Sequence, residues 1–285
     1  MTTPSSEATA PPRPAVLNRS ALTLIRTGLS EMLGRRRLTR YLVGAELKRT
    51  HADTAFGQIW WILDPLLQMA VYVILVSFIF QRSIPDFPLF LFAAILPWKW
   101  FSTSLNEATL SITSHQGLIR QIQFPKIILP SAAVTAGTVS FVIGLIAFGI
   151  VYLFYLDRLS LWVLLLPVVA AVQYVFTMAL GILLSSLNAF FRDIQNVLRH
   201  VIRLWFYLSP GLYSLDAVAK DYPTLHTILS LNPFAILFTS YRNITYGETA
   251  PDWGGLLLLL LFSFGLLGFG ILVFKRAEPA FARIL

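Results

Sequence analysis

The sequence predicts an all-α integral membrane protein. Six transmembrane helices per subunit follow an N-terminal amphipathic interface helix, with short re-entrant outer helices between spans five and six. Three observations lead there. Of 285 residues, 56% are hydrophobic and only 13% charged, about half the charged share of an ordinary soluble domain. Mean hydropathy is +0.69, and six stretches approach the roughly 20 apolar residues that cross a hydrocarbon core. Lysine and arginine also sort to alternate connections. Cysteine is absent, which removes thiol catalysis, Cys-ligated zinc and thiolate iron–sulfur clusters.

Residues 1–32 read as a disordered, basic tail. Pro4, Pro11, Pro12 and Pro14 stand among small polar residues, and the apolar core of a signal peptide is missing. Residues 33–58 read as the interface helix. Leu38, Tyr41, Leu42 and Ala45 share one face, and Arg36, Arg37 and Arg40 lie away from it, although Val43 and Leu47 fall opposite. A basic amphipathic helix before a first span lies in the headgroup layer; the plainer alternative is charge that only sets topology. The membrane domain, 59–276, holds spans at 59–80, 89–110, 127–156, 161–187, 197–212 and 254–274. The third and fourth are long enough to tilt, and the fifth is interrupted by Ser209-Pro210-Gly211. The stretch 225–241 contains Asn232-Pro233 and is too broken for a simple span. Loosened backbone of that kind is tolerated at membrane depth only where protein or water satisfies it. Residues 277–285 form a C-terminal tail.

Charge orients the chain. With the N-terminus in the cytoplasm, nine Lys and Arg precede the first span, and three each lie in 188–203 and after the last span, at 275–285. The outer loops hold only Arg82, Arg158, Lys220 and Arg242, against six acids: Asp86, Asp157, Asp216, Asp221, Glu248 and Asp252. This is the positive-inside pattern. It predicts a multi-pass protein of the cytoplasmic (inner) membrane with both termini cytoplasmic. The net charge of +8 is then a cytoplasmic surplus in contact with membrane lipids, and nucleic acid is not needed to explain it.

Catalytic signatures are lacking. No G-x-x-x-x-G-K-[ST], H-E-x-x-H, G-x-S-x-G or D-x-D occurs, so neither a nucleotide site nor a metal is expected on this chain. Four histidines (His51, His115, His200 and His226) are scattered, and lone histidines near interfaces are mostly structural. Asp64, Lys99 and Glu107 lie in or near spans, where ionisable groups are costly. They are too few and dispersed for a proton relay, and read either as snorkelling or capping groups or as substrate contacts. Aromatics are in surplus. Trp60, Trp61, Trp98, Trp100, Trp162 and Trp253 suit interface belts, whereas Tyr72, Phe78, Trp205, Phe206 and Tyr207 lie mid-span. These five either face lipid or line a passage along which a sugar chain slides, since ring faces touch sugar C–H surfaces with few directional bonds. Ala136, Ser140 and Gly144 recur every four residues, a small-residue stripe for helix packing.

The order of short motifs carries a resemblance. Glu46-Leu47-Lys48 through Phe56-Gly57, Trp61-Ile62-Leu63-Asp64-Pro65, Phe87-Pro88-Leu89-Phe90-Leu91-Phe92-Ala93 and Leu96-Pro97-Trp98 come first. Gly117-Leu118-Ile119-Arg120, Phe124-Pro125-Lys126, Leu129-Pro130 and Leu187-Asn188-Ala189-Phe190-Phe191-Arg192-Asp193 follow. Leu208-Ser209-Pro210, Leu231-Asn232-Pro233 and Phe274-Lys275-Arg276-Ala277-Glu278 with Phe281-Ala282 complete the series. Together they resemble the membrane subunits of type-2 ABC exporters, specifically the polysaccharide permeases of O-antigen, teichoic acid and capsule systems. Asp64 departs from the neutral polar residue more usual there.

The resemblance implies a homodimer docked on two copies of a cytoplasmic ABC ATPase that carries the ATP and Mg. It implies ATPase coupling through the interface helix (Leu38, Tyr41, Leu42) and the first cytoplasmic loop (Gln116, Leu118, Ile119, Arg120). It also implies export of a lipid-linked polysaccharide, with the short outer helices gating the exit. Arg192, Arg199 and Arg203 are the candidate contacts for the lipid pyrophosphate, because guanidinium forks match phosphate oxygens; the alternative is that they enforce topology or pair with Asp193. Rival readings are a type-2 exporter of a drug or small lipid, and a membrane-bound glycosyltransferase, which would be expected to carry acidic pairs this chain lacks. The Ala/Pro-rich tail and the preference for Arg over Lys suggest a GC-rich actinobacterial source, where cell-wall galactan would be the cargo.

Overall fold

The computed structural model describes residues 20–50, 56–79, 84–215, 218–219 and 222–284. Among them are eleven α-helices and no strand. In chain order these are α1 (Ala21–Gly34), α2 (Arg36–Thr50), α3 (Trp60–Ile74), α4 (Phe87–Ser114), α5 (Gln116–Gln121) and α6 (Ile128–Tyr152). Then follow α7 (Leu166–Phe190), α8 (Ile194–Leu208), α9 (Pro223–Ser230), α10 (Pro233–Thr245) and α11 (Trp253–Ile284). Four helical segments are long and apolar enough to cross a membrane: Gly57–Ser77, Ile128–Tyr152, Leu161–Phe190 and Trp253–Phe281.

The second and fifth expected spans, α4 and α8, fall outside that set for different reasons. α4 has 28 residues, about 42 Å at 1.5 Å per residue, and so lacks nothing in length. Its composition is mixed because it is the central helix. α3, α6 and α7 all pack on it, and Lys99, Asn106 and Glu107 meet protein partners. α8 has 15 residues, roughly 22 Å by the same rise, and stops at Ser209-Pro210-Gly211.

Close approach around α4 depends on glycine. A Cβ on Gly137 of α6 would collide with the Ser104 hydroxyl, one on Gly144 would lie 2.8 Å from Leu96, and one on Gly181 of α7 would lie 2.9 Å from Ala108. Of the expected stripe of small residues on α6, Gly144 lies at this seam, joined there by Gly137, while Ala136 and Ser140 line a cavity beside it. Pro97 removes one amide hydrogen from the middle of α4, and Gln173 of α7 donates to the Pro97 carbonyl at 2.8 Å.

Both ends of the chain differ from the tail readings. Within 1–32, residues Ala21–Gly34 form a helix capped by Ser20; the first nineteen residues lie outside the described ones. Leu24 and Gly28 are buried against α11, and Gly28 has no room for a Cβ beside Ile271. Here a packing face, rather than propensity, orders the segment. At the other end, α11 runs through the expected tail as far as Ile284, with Pro279 inside the helix. Phe281 is fully buried and stacks edge-on against Phe274 at 5.3 Å.

Candidate functional site

α8 carries three different faces, which its helical period separates. Leu198, Ile202 and Phe206, four residues apart, are buried against α4 and α7. Asn196, Arg199, Arg203 and Tyr207 form a second row, all exposed, with Arg199 donating to the Asn196 side chain. Val197, Val201, Leu204 and Leu208 form a third row, exposed and apolar. Arg192 is exposed in the turn before α8, and His200 is exposed on the helix. Arg199 and Arg203 therefore share one side of α8, with Arg192 exposed in the turn just before it.

The aromatic residues expected mid-span divide by depth. Phe206 is 4% exposed and packs on Trp98 at 5.3 Å and Tyr72 at 5.8 Å. Tyr207 is 54% exposed. Tyr72 of α3 is half-buried and shares a hydrogen bond with Tyr207, so the exposed row of α8 continues onto α3. Trp205 is half-buried among Phe101, Phe176 and Phe234. The side chain of Phe78 falls outside the described residues.

The break after α8 is held by two residues the site reading had not singled out. Asn232 caps α10 by accepting the Phe234 amide at 3.0 Å. Its side chain also accepts the Trp205 indole N–H at 2.9 Å and donates to Ser209 Oγ at 2.9 Å. The motifs Leu208-Ser209-Pro210 and Leu231-Asn232-Pro233 are thus two halves of one joint. Arg242 of α10, only 7% exposed, donates to the carbonyls of Phe90, Pro210, Gly211 and Tyr213 and lies 3.6 Å over the Phe90 ring. Burial pushes its guanidinium down to about 9, still well above neutral, so the charge is kept. A Pro-Gly pair beside a short helix containing arginine was the sequence signal for this joint.

Asn188, in the motif after the fourth span, does comparable work at the other end of α8. It donates to the Thr109 carbonyl at 3.1 Å and accepts the Gln195 amide at 3.2 Å, tying α4, α7 and the start of α8 together.

The expected coupling residues lie at the arginine-rich end. On α2, Leu42 is buried and Leu38 half-buried against the core, whereas Tyr41 is 74% exposed. The residues on the expected apolar face therefore do not share one environment: two face protein and one faces out. On α5, Ile119 is buried, Gln116 and Leu118 are half-buried, and Arg120 is exposed. The loop after α5 is pinned to α11, since Glu278 accepts the Lys126 amide at 2.7 Å and Lys275 pairs with both Glu278 and Glu31. His115 contacts Ser111 and Ser114 on its own helix, and no group of three metal-binding side chains is found among the described residues.

Comparison with known proteins gives this arrangement a context. Residues 37–246 match the ABC-2 type transporter family. The chain is 35% identical to the O-antigen export system permease protein RfbA of Myxococcus xanthus over 85% of its own length and 92% of the relative's. It is 29% identical to an RfbA of Klebsiella pneumoniae, covering 86% and 93% of the two chains. To the polysialic acid transport protein KpsM of Escherichia coli it is 21% identical, covering 82% and 91%.

Proposed function

The chain belongs to the ABC-2 type transporter family, and from that premise we propose that it is the membrane-spanning permease subunit of an ATP-driven polysaccharide exporter. The similarity to O-antigen and polysialic acid transport permeases over most of the chain supports a polysaccharide cargo. Multi-pass insertion in the inner membrane fits the four long apolar helices. In this reading α4 and the α8 segment supply the second and fifth spans, α9 and α10 are the re-entrant outer helices, and both termini are cytoplasmic. ATP and Mg bind two separate ATPase subunits docked at the arginine-rich end, where Tyr41 and Arg120 are exposed.

One observation carries the mechanism: the exposed row Asn196, Arg199, Arg203 and Tyr207 lies on a helix packed against the middle of the bundle. Arginine side chains do not face acyl chains without a large cost. They face water, and a second copy of the chain presenting the same row would enclose it. Arg192, Arg199 and Arg203 then attract the pyrophosphate of a lipid-linked polysaccharide. Tyr207 and Tyr72 offer ring faces deeper along the path, with Phe206 and Trp205 bracing them from behind. Steps of ATP hydrolysis reach this row through α2, α5 and the loop that Glu278 holds.

The test is reconstitution of the chain with its ATPase in vesicles supplied with lipid-linked glycan. ATP-dependent appearance of glycan on the far side, lost with Arg203→Ala, supports the reading. Unchanged export and unchanged glycan-lipid stimulation of the ATPase in that variant remove Arg203 from it. Depleting the protein in cells should make one lipid-linked polymer, a galactan if the source bias holds, accumulate in the cytoplasmic leaflet.

A further inference from the structure

The three ionisable residues that the sequence leaves in or beside spans, Asp64, Lys99 and Glu107, take no part in the α8 row. Instead they gather with Glu46 around one cavity of about 160 Å³, set between the end of α2, the start of α3, α4 and α6. Lys99 is held by Asp64, and Arg49 sits between Glu46 and Glu107. Three acids and Lys99 line the space, and with Arg49 bridging Glu46 and Glu107 from beside it, the three acids outnumber the two cations by one. Trp60, Trp61 and Trp100 contribute large rings to its wall, and Ala136 and Ser140 of α6 contribute small side chains. Two polar groups of the wall are buried with no hydrogen-bond partner among the described residues: the indole N–H of Trp100 and the hydroxyl of Ser104.

Acids within a tryptophan-lined hollow match a cation with apolar flanks, because ring faces and carboxylates both attract an ammonium group. The same acids oppose an anion, which separates this cavity from the arginine row. We propose that it holds the headgroup of an amine-bearing phospholipid such as phosphatidylethanolamine, taken from the bilayer beside α3. The ammonium lies toward Glu107 and the tryptophan rings, the headgroup oxygens toward the Lys99–Asp64 pair on its lysine side, and the acyl chains stay in the membrane. The site's place in a bilayer rests on the permease reading, but its test reads binding rather than transport.

The experiment is native mass spectrometry of the delipidated permease–ATPase complex, supplied in turn with phosphatidylethanolamine and phosphatidylglycerol. Retention of the ethanolamine lipid by about tenfold over the glycerol lipid is expected, the size of one desolvated cation–ring or charge contact. Asp64→Asn combined with Glu107→Gln should erase that preference. Ser140→Leu, which fills the hollow without touching charge, should lower retention of the ethanolamine lipid in an assembled complex. Equal retention of the two lipids, no retention, or a preference surviving these variants would overturn the proposal, as would displacement of the ethanolamine lipid by a pyrophosphate-linked one. Export can fail in any of these cases without changing the binding result.

Discussion

The indole N–H of Trp205 on α8 points at the side-chain oxygen of Asn232, the cap of α10, at 2.9 Å. That one amide also takes the Phe234 N–H and donates to Ser209, so the end of α8 and the start of α10 converge on a single side chain. Asn232→Ala leaves an indole N–H and a helix-start amide without acceptors. Each net bond is worth about 1 kcal/mol, and a buried orphan costs about 1–3 kcal/mol. Trp205→Phe removes only one donor. Thermal unfolding in detergent should therefore show a larger loss for Asn232→Ala, with the double variant less destabilised than the sum of the two.

Arg242 sets a second joint between the same elements. Its four carbonyl acceptors come from α4 and from the break after α8, and no acid is among them. Lysine keeps the charge but loses the planar fork, so Arg242→Lys should retain the fold with part of its stability. Arg242→Met strands those carbonyls and should lower the unfolding midpoint further. Equal midpoints for the two variants would mean that charge and fork contribute nothing distinct.

Helix identity was legible because apolar run length and charge asymmetry are local properties of the chain. The α4–α6 seam was legible in part: Gly144 of the expected stripe meets Leu96, but the tightest contact is at Gly137, outside that stripe. The ordering of α1 was not, because it depends on the burial of Leu24 and on Gly28 meeting Ile271, a contact across most of the chain. For the same reason the continuation of α11 past Pro279 was hidden, as Phe281 is held by Phe274 and Phe190 rather than by propensity. At the site, the α8 arginines could be grouped by number alone. Which aromatics face outward could not, because Phe206 and Tyr207 are neighbours whose burial is set by the packing of Trp98 and Tyr72. Asp64, Lys99 and Glu107 looked dispersed along the chain, and only the crossing of α3 over α4 brings them together.

Lys275 bridges Glu31 and Glu278, and its side chain is 8% exposed. Lys275→Met leaves two partly buried carboxylates facing each other. Removing one partner of a buried pair costs on the order of 3–5 kcal/mol, and Glu278 also holds the Lys126 amide. Loss of stability is expected, together with faster proteolysis near Lys126. Replacing Glu31 with Gln in the same chain removes one of the two opposed charges and should recover part of the loss. A double variant no more stable than Lys275→Met alone would count against the charge account.

Gly137 tests how closely α4 and α6 meet. On helix propensity alone, Gly137→Ala should stabilise α6 by about 1 kcal/mol. The new methyl would collide with the Ser104 hydroxyl and lie 3.1 Å from its Cβ. Overpacking a filled seam costs about 1–3 kcal/mol, so the steric effect outweighs propensity and the variant should unfold at a lower temperature. Ser104→Gly in the same chain removes both the hydroxyl and the Cβ that obstruct it, at a propensity cost of about 1 kcal/mol in α4. The pair exchanges which helix carries the side chain while keeping the seam filled, and should therefore unfold closer to the parent than Gly137→Ala does. If Gly137→Ala alone proved more stable than the parent, α4 and α6 would have to lie farther apart than the structure places them.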